Sequence, residues 1–334
     1  MHQTKELRHK AAGHDGTLTD KDELLVFKPT VQQELDFYKA IQNKMYSSEE
    51  SVEGDVPLYS WMPTFLGVLD EGFREVPEGA KVLSTVVPSD DGSRENSTDI
   101  GDKKYIVLEN LLHGFSQPNV LDVKLGKVLY DENASDEKKD RLNQVSRTTT
   151  SGSLGFRICG MKLKKNASLN GIDAAYYETD DDDYVFLNKF YGRSRTKENI
   201  EEAFCVFFAS DALSSERIKK LKRTFHQRLQ LLYNTLLEEE VRMISCSLLL
   251  IYEGDPERWD ALKDQDSLLR DDFIDSGDEG DDEVEETVGG RVLSSLSLID
   301  FAHARLAPGE GYDEGVVDAV ENLMTLFHDL CIKS

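Results

Sequence analysis

Residues 118–126, PNVLDVKLG, constrain this chain most, because they set two opposite charges, Asp122 and Lys124, into an apolar run of the kind that forms a β-strand. Side chains alternate between the two faces of a strand, so residues two apart lie on the same face. A carboxylate and an ammonium on one face can together engage a hydroxyl nucleophile and a phosphoryl group, as phosphoryl transfer requires. The spacing alone leaves open an ordinary ion pair on a half-exposed strand.

The amino-acid composition predicts a globular protein with one large core or two modest lobes. Of the 334 residues, 39% are apolar and 9% are aromatic, which is an ordinary globular mixture. No apolar run approaches the roughly 18 to 20 residues of a membrane-spanning helix, and the first ten residues lack the apolar stretch of a secretory signal. We therefore expect the protein in the nucleus and cytoplasm.

The four cysteines, Cys159, Cys205, Cys246 and Cys331, are far apart in the sequence. They form neither a CxxC pair nor a Cys/His cluster with zinc-ligand spacing. We expect them to be reduced thiols, most of them buried.

The net charge of -25 argues against a nucleic-acid-binding protein, because contacts with phosphate backbones depend on clustered Lys and Arg. The charge is unevenly distributed, however. Between Lys124 and Lys165 there are ten Lys or Arg residues and only five Asp or Glu residues, a net excess of five positive charges. This basic window predicts a site for an anionic ligand.

Residues 1–110 have the pattern of a small lobe of short strands around one helix. Apolar, β-branched runs at 24–28, 65–70 and 105–110 predict the strands, and residues 31–42 predict the helix. A lobe of this type is suited to clamping a nucleotide.

Residues 111–334 hold the long helices and predict a larger lobe. Apolar residues recur every three or four positions from Ser215 to about Arg242, and again from Val316 to Leu330. Each series forms one apolar stripe on a helix. We assign both stripes to the core of this lobe, with no role in chemistry.

Polar segments interrupt both lobes. Residues 71–102 are rich in Glu, Asp, Gly, Ser and Pro without apolar periodicity, and predict an exposed, flexible insert. The acidic residues at 180–183 are predicted to cap a loop before a strand at 184–187. Residues 271–286 contain ten acidic residues, and 271–290 are predicted to be an acidic disordered loop, because like charges repel. The alternative for this acidic tract is a docking site for a basic partner.

Two motifs in order resemble the signature of the inositol phosphate kinase family. Pro118, Asp122, Lys124 and Gly126 form the pattern PxxxDxKxG, and SLSLIDFAH stands downstream at 295–303. The likeness extends through GHDGTL at 13–18, LLVFKP at 24–29, YGRSRT at 191–196 and SCSLLLIYEGD at 245–255. It covers nearly the whole chain and is closest to the fungal inositol polyphosphate multikinases.

The resemblance implies an α+β, two-lobed, kinase-like fold. Its small lobe would be mostly antiparallel β-sheet, and its larger α/β lobe would carry a short inositol-phosphate-binding helical segment at 127–155. Dedicated inositol trisphosphate 3-kinases have an extra helical subdomain there. The short segment therefore implies an open pocket that accepts several substrates.

A kinase must hold the phosphates of ATP, bind a metal ion and place the acceptor hydroxyl. The sequence has neither a GxxxxGK[ST] loop nor the HRD-type loop of protein kinases. By comparison with the small lobe of protein kinases, Lys28 at the end of an apolar strand is the candidate for the α- and β-phosphates, with Glu34 as its partner. The resemblance implies that Glu109 and Leu111 meet the adenine at a hinge between the lobes.

The apolar run of SLSLIDFAH delivers Asp300 at its end. A carboxylate is a natural ligand for Mg²⁺, although an aspartate at a strand end is often a turn former or a helix cap. The resemblance implies metal binding by Asp300 and places Ser247 near the nucleotide, although position 246 is Cys where the family has Ser. ATP and Mg²⁺ are therefore the expected cofactors.

The resemblance also implies a soluble inositol phosphate as the acceptor, which requires a basic pocket. Ser135 followed by two acidic residues predicts a helix start, with Lys138 and Arg141 on one face. The family's corresponding helix binds the substrate, so these two residues and Lys189 are the candidates; a merely solvated face is the alternative. The family's histidine in the inositol site corresponds to His303, for which the alternative is an ordinary interior histidine.

The prediction is an ATP- and Mg²⁺-dependent inositol polyphosphate multikinase that phosphorylates ring hydroxyls of inositol trisphosphate and tetrakisphosphate to give the pentakisphosphate. Lys124 would offset charge on the transferred phosphate and contact the substrate, while Asp122 would orient the nucleotide ribose or the attacking hydroxyl. The alternative is a nuclear transcription cofactor or scaffold that binds a basic transcription factor through the acidic tract. We expect no direct contact with nucleic acid and no transmembrane segment.

Overall fold

The computed structural model describes residues 4–7, 10–11, 16–47, 55–70, 104–166, 169, 171–270 and 292–333. The predicted insert at 71–102 and the predicted acidic loop at 271–290 lie outside the described residues. Within them the chain forms two large antiparallel sheets, each with its own helices, and a cleft between the sheets. The predicted α+β, two-lobed architecture is confirmed.

The smaller lobe is a five-stranded sheet in the order β1-β2-β3-β5-β4. Its strands are β1 Lys5–Glu6, β2 Leu18–Thr19, β3 Leu25–Pro29, β4 Phe65–Asp70 and β5 Lys104–Glu109. The three predicted strands correspond to β3, β4 and β5. Alternation along β3 turns Phe27 into an apolar cluster with Tyr105 and Val107, and turns Val26 and Lys28 toward the cleft.

The predicted helix of this lobe is α1, Gln32–Ser47. Two of its aromatic residues pack on Phe301 of the larger lobe. The ring centroid of Phe37 lies 5.1 Å from that of Phe301, and Tyr38 meets Phe301 edge-on at 5.4 Å. This packing holds α1, and with it Glu34, against the residue that follows Asp300.

The larger lobe contains a six-stranded sheet in the order β12-β11-β6-β7-β9-β8. These strands are β6 Pro118–Leu125, β7 Phe156–Lys164, β8 Tyr177–Thr179, β9 Tyr184–Leu187, β11 Ser247–Glu253 and β12 Ser294–Ile299. The short strands β10 Val241–Met243 and β13 Ala304–Leu306 pair separately. Because β6 lies between β11 and β7, the PNVLDVKLG segment is a central strand.

Helices cover the larger sheet and carry most of its core. They are α2 Asp136–Arg147, α3 Thr150–Leu154, α4 Lys189–Arg193, α5 Ile200–Phe208, α6 Ser215–Glu238, α7 Pro256–Ala261 and α8 Glu314–Ile332, with 3-10 turns at Leu58–Trp61 and Ala174–Tyr176. The predicted stripes on α6 and α8 are buried in the main core, including Leu221, Phe225, Leu323 and Phe327.

The predicted end of α6 is wrong by about four residues. The helix ends at Glu238, and Val241–Met243 forms β10, in which Arg242 pairs with Arg305 of β13. Three consecutive glutamates at 238–240 carry negative charge to the negative end of the helix dipole, which disfavours continuation. The apolar period runs past this point only because Val241 and Met243 face the same core from a strand.

The acidic run at 180–183 closes the turn before β9, as predicted. The Asp180 carboxylate accepts hydrogen bonds from the amides of Asp182 at 3.1 Å and Tyr184 at 2.9 Å. Among the described residues, no helix has both the length and the hydrophobicity that crossing a membrane requires.

The four cysteines are free thiols. Only Cys246 is buried, whereas Cys159 and Cys331 are half-buried and Cys205 lies on the exposed side of α5. The thiols form no disulfide, and the expectation that most are buried is wrong. The distance in the sequence from one cysteine to the next carries no information about the burial of either.

Gly192 in α4 is expected to tolerate no side chain. A Cβ at this position would lie 2.0 Å from the carbonyl oxygen of Ile158 in β7. We predict that Gly192→Ala lowers the free energy of unfolding by about 1 to 3 kcal/mol through overpacking, measured by urea denaturation. Gly315→Ala is the matched control, because its Cβ would meet nothing closer than 3.4 Å. Equal stability of the two variants would contradict the predicted packing of α4 on β7.

Candidate active site

The cleft between the sheets contains most of the residues predicted to bind a nucleotide. It contains about 810 Å³ of empty space, including the part open to solvent. Apolar side chains from both lobes form its walls, and charged groups converge within it. The lining includes Val26, Lys28, Leu108, Glu109, Leu111, Val120, Asp122, Leu249, Ile299 and Asp300.

Lys28 joins the two lobes inside this cleft. Its ammonium donates to Glu34 Oε1 at 2.7 Å, the predicted pair, and to Asp300 Oδ1 at 2.8 Å. Burial by itself would lower the pKa of Lys28, but attraction to Asp300 and Glu34 outweighs that effect and raises the pKa. Lys28 is therefore charged, and it brings a predicted phosphate ligand and a predicted metal ligand together.

Asp300 adopts a strained backbone conformation directly after β12. Its φ is +65°, which a non-glycine residue rarely adopts and which costs free energy. The conformation is held from the next residue, because the buried Phe301 packs on α1 and its amide donates to Glu34 Oε1 at 3.2 Å. One oxygen of Glu34 thus binds both Lys28 and the backbone beside Asp300.

Asp122 is a buried carboxylate, only 3% exposed, opposite Leu249 of β11 and Gly160 of β7. Burial and the nearby charge of Asp300 raise the pKa of Asp122 to about 6, against the opposing effects of Lys124, the Ser247 hydroxyl and Arg157. Such a group gains or loses its proton close to neutral pH.

Lys124 shares the face of Asp122 but does not form an ion pair with it. The Lys124 ammonium instead donates to the carbonyl oxygen of Ser245 at 2.7 Å. The alternative of an ordinary ion pair is therefore wrong. Gly126 closes the segment with a φ of +92°, where glycine is the residue without steric cost.

Ser247 lies opposite Lys124 in β11, on the same face as Asp122. Ser247 Oγ and Asp122 Oδ1 are buried and form no well-aligned hydrogen bond with the described residues, although the Ser247 hydroxyl lies close enough to Asp122 to oppose the rise of its pKa. Buried polar atoms are nearly always hydrogen-bonded or bound to a ligand. These two atoms therefore indicate a ligand in the cleft beside Asp300.

The described residues contain no cluster of three or more His, Cys, Asp or Glu that would hold a metal ion by themselves. Mg²⁺ does not need one, because it is usually bound by one or two carboxylates together with substrate phosphates and water. Asp300, Asp122 Oδ1 and Ser247 Oγ are oxygen donors of the required chemistry. The residues fit a magnesium–nucleotide complex.

The predicted hinge lies at the end of β5, where other protein groups bind the carboxylate of Glu109. Its carboxylate accepts from Thr64 N at 3.1 Å, from Thr64 Oγ1 at 3.0 Å and from Arg270 Nη1 at 2.5 Å. The Glu109 amide is also engaged, because it donates to the Thr64 carbonyl oxygen at 3.0 Å. The amide of Leu111 forms no hydrogen bond with the described residues, so it is available as a donor.

His303 lies on the loop after Asp300, with Nδ1 2.5 Å from Asp131 Oδ2. Its side chain is 34% exposed, so it is not the enclosed interior histidine of the alternative. Asp131 was not predicted. A carboxylate next to one ring nitrogen orients the imidazole and directs the other nitrogen away.

The three predicted substrate-binding cations are not brought into contact with Asp122 or His303. Lys138 and Arg141 lie on α2, whose predicted start is confirmed by Ser135 Oγ accepting from the Lys138 amide. Within the described part of the chain, neither side chain has a hydrogen-bond or ion-pair partner. Lys189 begins α4, with its ammonium 5.6 Å from the ring centroid of Phe190.

Arg157 is a charged residue of the site that the sequence reasoning missed. It lies opposite Lys124 in β7, is 8% exposed and donates to Ser151 Oγ at 3.0 Å. No carboxylate of the described residues lies within 4 Å of it. A buried cation without an anionic partner is costly and indicates an anionic ligand. The signal was an arginine inside the apolar strand FRICGM, which had been counted only as part of the basic window.

Known proteins with this sequence pattern and this fold identify the family. The family model described as inositol polyphosphate kinase matches residues 105–328. The chain is 54% identical over 345 residues to the inositol polyphosphate multikinase of Saccharomyces cerevisiae, covering 96% of this chain and 97% of that protein. It is 30% identical over 244 residues to the inositol polyphosphate multikinase of Schizosaccharomyces pombe, covering 73% and 77%.

The chain belongs to the inositol polyphosphate kinase family.

A solved structure agrees with the sequence matches. The fold is similar, with a TM-score of 0.74 and 52% identity, to the inositol phosphate multikinase of S. cerevisiae crystallised with ADP and Mn²⁺, over 92% of this chain and 99% of that one. The predicted family, the kinase-like fold and the prediction of an inositol polyphosphate kinase are confirmed. The comparisons do not support the transcription-cofactor alternative. The roles of the individual residues stay predictions.

The ionised form of Asp122 is expected to lower the stability of the ligand-free protein. An aspartate whose pKa is raised on folding stabilises the fold below its unfolded pKa and loses that contribution as the pH rises through about 6. Each pKa unit corresponds to about 1.4 kcal/mol. We therefore predict that Asp122→Asn raises the free energy of unfolding at pH 8 by up to about 3 kcal/mol, with the gain shrinking toward pH 4.

The measurement is urea denaturation of the ligand-free protein between pH 4 and pH 8. Glu201→Gln is the control, because it removes a surface pair with Lys333 and should change stability by less than about 0.5 kcal/mol. A gain for Asp122→Asn that does not depend on pH would contradict the raised pKa.

Proposed function

We propose that this protein is an ATP-dependent inositol polyphosphate multikinase that transfers the γ-phosphoryl group to ring hydroxyls of inositol trisphosphate and tetrakisphosphate and produces the pentakisphosphate. The observation that carries the proposal is the meeting of Lys28, Asp300 and Asp122 in one cleft between two lobes. The similarity to a multikinase crystallised with ADP and Mn²⁺ supports this assignment of the cleft.

The nucleotide would enter between the lobes, with its base against the apolar lining. Val26 and Leu108 come from the smaller sheet, and Val120, Leu249 and Ile299 from the larger one. The Leu111 amide would donate to the adenine edge. The Lys28 ammonium would then bind the α- and β-phosphates, at the far end of the same strand that contributes Val26.

The metal site would be formed by Asp300, with Asp122 and Ser247 beside it. Bound there, Mg²⁺ would neutralise charge on the phosphates. The strained backbone of Asp300 serves this role, because it directs the carboxylate toward Lys28 and the cleft instead of along the strand. Protonation of Asp122 below pH 6 would weaken its contribution.

The acceptor would bind on the basic side of Asp122. Lys124 and Arg157 lie there on adjacent strands, and Lys138, Arg141 and Lys189 are the candidates for outer phosphates. His303, oriented by Asp131, would lie near the attacking hydroxyl. Phosphoryl transfer needs mainly alignment and charge stabilisation. Lys124 would stabilise the charge on the transferred group, and Asp122 would provide alignment by orienting the ribose or the attacking hydroxyl.

The acidic tract at 271–286 lies outside the described residues. Binding of a basic transcription factor there stays a proposal that rests on its charge alone, as does a location in nucleus and cytoplasm. Its test is deletion of 271–286, after which kinase turnover should survive and binding to such a partner should fall and lose its salt dependence.

The proposed activity is tested by incubating the purified protein with ATP, Mg²⁺ and inositol 1,4,5-trisphosphate and separating the products by charge. We expect tetrakisphosphate and then pentakisphosphate. Asp122→Ala and Lys124→Ala should each lower kcat by at least about 100-fold, while Glu201→Gln keeps wild-type turnover. Absence of both products from wild type would refute the function, and near wild-type turnover of a folded Asp122→Ala or Lys124→Ala variant would refute that residue's role.

Arg157 is expected to bind phosphate and to contribute little to the ligand-free fold. We predict that Arg157→Met lowers kcat/KM for inositol trisphosphate at least tenfold and does not lower the free energy of unfolding of the ligand-free protein, because a costly buried cation is removed and no carboxylate loses an ion-pair partner. Arg228→Met is the contrasting variant. Arg228 is also buried but pairs with Asp266, so its loss should cost about 3 to 5 kcal/mol. The opposite order of stability losses would contradict the assignment.

A further inference from the structure

Arg270 connects the larger lobe to the hinge of the smaller one. Its Nη1 donates to Glu109 Oε1 at 2.5 Å, and its Nη2 donates to the carbonyl oxygen of Met62 at 2.8 Å. Glu109 ends β5, and Met62 lies just before β4. A single guanidinium therefore binds both chain segments that lead out of the smaller sheet on this side.

The smaller-lobe end of this connection is fully bonded. The second oxygen of Glu109 accepts from the amide and the hydroxyl of Thr64, and the Glu109 amide donates to the Thr64 carbonyl oxygen at 3.0 Å. Both oxygens of the Glu109 carboxylate are thus engaged by protein groups. Its position fixes the backbone of residues 109–111, which carries the candidate adenine contacts.

The larger-lobe end is anchored to α6. The buried guanidinium of Arg228 donates to the carbonyl oxygens of Leu268 at 2.8 Å and Ser267 at 2.6 Å, a few residues before Arg270. Arg228 also donates to the carbonyl oxygen of Ser294, the first residue of β12, at 2.8 Å. The strand that ends in Asp300 and the segment that carries Arg270 therefore share one anchor.

Both ends of the proposed nucleotide site are tied to this anchor. The phosphates would meet Asp300 at the end of β12, and the base would meet the hinge that Arg270 holds through Glu109. These links fix the hinge relative to the metal ligand. A loosened hinge would leave the metal ligand in place and misplace the base.

We propose that Arg270 is a positioning residue for the nucleotide, acting through Glu109 to hold the hinge at the correct distance from Asp300. The proposal rests on the proposed function. The hinge contacts the base of ATP and not the inositol phosphate, so the proposal predicts different effects on the KM values of the two substrates. Loss of Arg270 raises KM for ATP and leaves KM for the inositol phosphate unchanged.

The test compares Arg270→Ala and Arg270→Lys with wild type, varying ATP and inositol trisphosphate separately. Two charge-assisted hydrogen bonds are lost in the alanine variant, and we expect KM for ATP to rise about tenfold. KM for the inositol phosphate should stay within about twofold. Lysine reaches one acceptor but not both, so Arg270→Lys should be intermediate.

Arg217→Ala is the matched control. Arg217 is similarly buried, with a side chain 17% exposed against 15% for Arg270, and it also loses carboxylate partners, Asp260 and Asp264. It belongs to the same lobe and lines no part of the cleft. It should lower thermal stability without changing KM for ATP. A KM change in Arg270→Ala that Arg217→Ala reproduces would reduce Arg270 to a structural role and overturn the proposal.

Binding of Mg²⁺·ADP, measured by calorimetry, distinguishes this proposal from the function beneath it. If wild type yields no inositol phosphate product, the proposed function fails, and weaker Mg²⁺·ADP binding by Arg270→Ala still supports the positioning role. If wild type is active and Arg270→Ala binds Mg²⁺·ADP as wild type does, the positioning role fails alone. If Arg270→Ala does not fold, Glu109→Gln is used instead, because the glutamine side chain can still accept from Thr64 but lacks the charge that pairs with Arg270. Mg²⁺·ADP binding by Glu109→Gln that equals the binding by wild type overturns the proposal.

Discussion

The ammonium of Lys28, shared between Glu34 and Asp300, connects the smaller lobe to the larger one at the point where phosphates are expected to bind. Two carboxylates against one ammonium leave one net negative charge when all three are ionised, so the cluster favours a further cation. The cluster also depends on the surrounding packing. Glu34 can bind Lys28 and the Phe301 amide together only because α1 packs its aromatic side chains on Phe301.

Charge is divided across the cleft in a way that suits two different ligands. Asp300 and Asp122 face the proposed metal and nucleotide, whereas Lys124 and Arg157 lie beyond Asp122 on the central strands. The division explains how a chain with a net charge of -25 can bind polyanions. Overall charge affects solubility and encounter rates, but binding at close range depends on the few charges that converge in a low-dielectric cleft. Burial and the charge of Asp300 raise the pKa of Asp122, so its ionised form is disfavoured in the ligand-free cleft.

Local patterns predicted most of the elements correctly. The strands β3 to β6, the helices α1 and α8 and the capped start of α2 follow from alternation, apolar period and short spacing, whereas the pair of Lys28 with Glu34 came from comparison with the small lobe of protein kinases. The end of α6 was predicted wrongly, because the apolar period continued into a strand that faces the same core. The burial of the cysteines was misjudged, because the distance between cysteines in the sequence carries no information about which of them is buried.

The contacts that were missed join residues that are distant in sequence. Arg270 meets Glu109 across 161 positions, and Lys28 meets Asp300 across 272. Asp131 and Arg157 likewise had no local signal beyond their charge. The resemblance placed Glu109 at a hinge beside the adenine, which stays a prediction; its carboxylate is bound by Thr64 and Arg270, which only the structure reveals.

The sequence by itself determined the family: PNVLDVKLG and SLSLIDFAH place Asp122 and Lys124 on one strand and Asp300 directly after another, and the chain matches the inositol polyphosphate kinase family. Only the tertiary structure decided what each charge does. Asp122 and Lys124 share a face, as alternation requires, but the fold gives them different surroundings. The Lys124 ammonium donates to a backbone carbonyl oxygen, whereas one oxygen of Asp122 is buried without a well-aligned hydrogen bond and the pKa of Asp122 is raised. Strand geometry is local and can be read along a chain, whereas desolvation and long-range pairing depend on every segment that packs around the site.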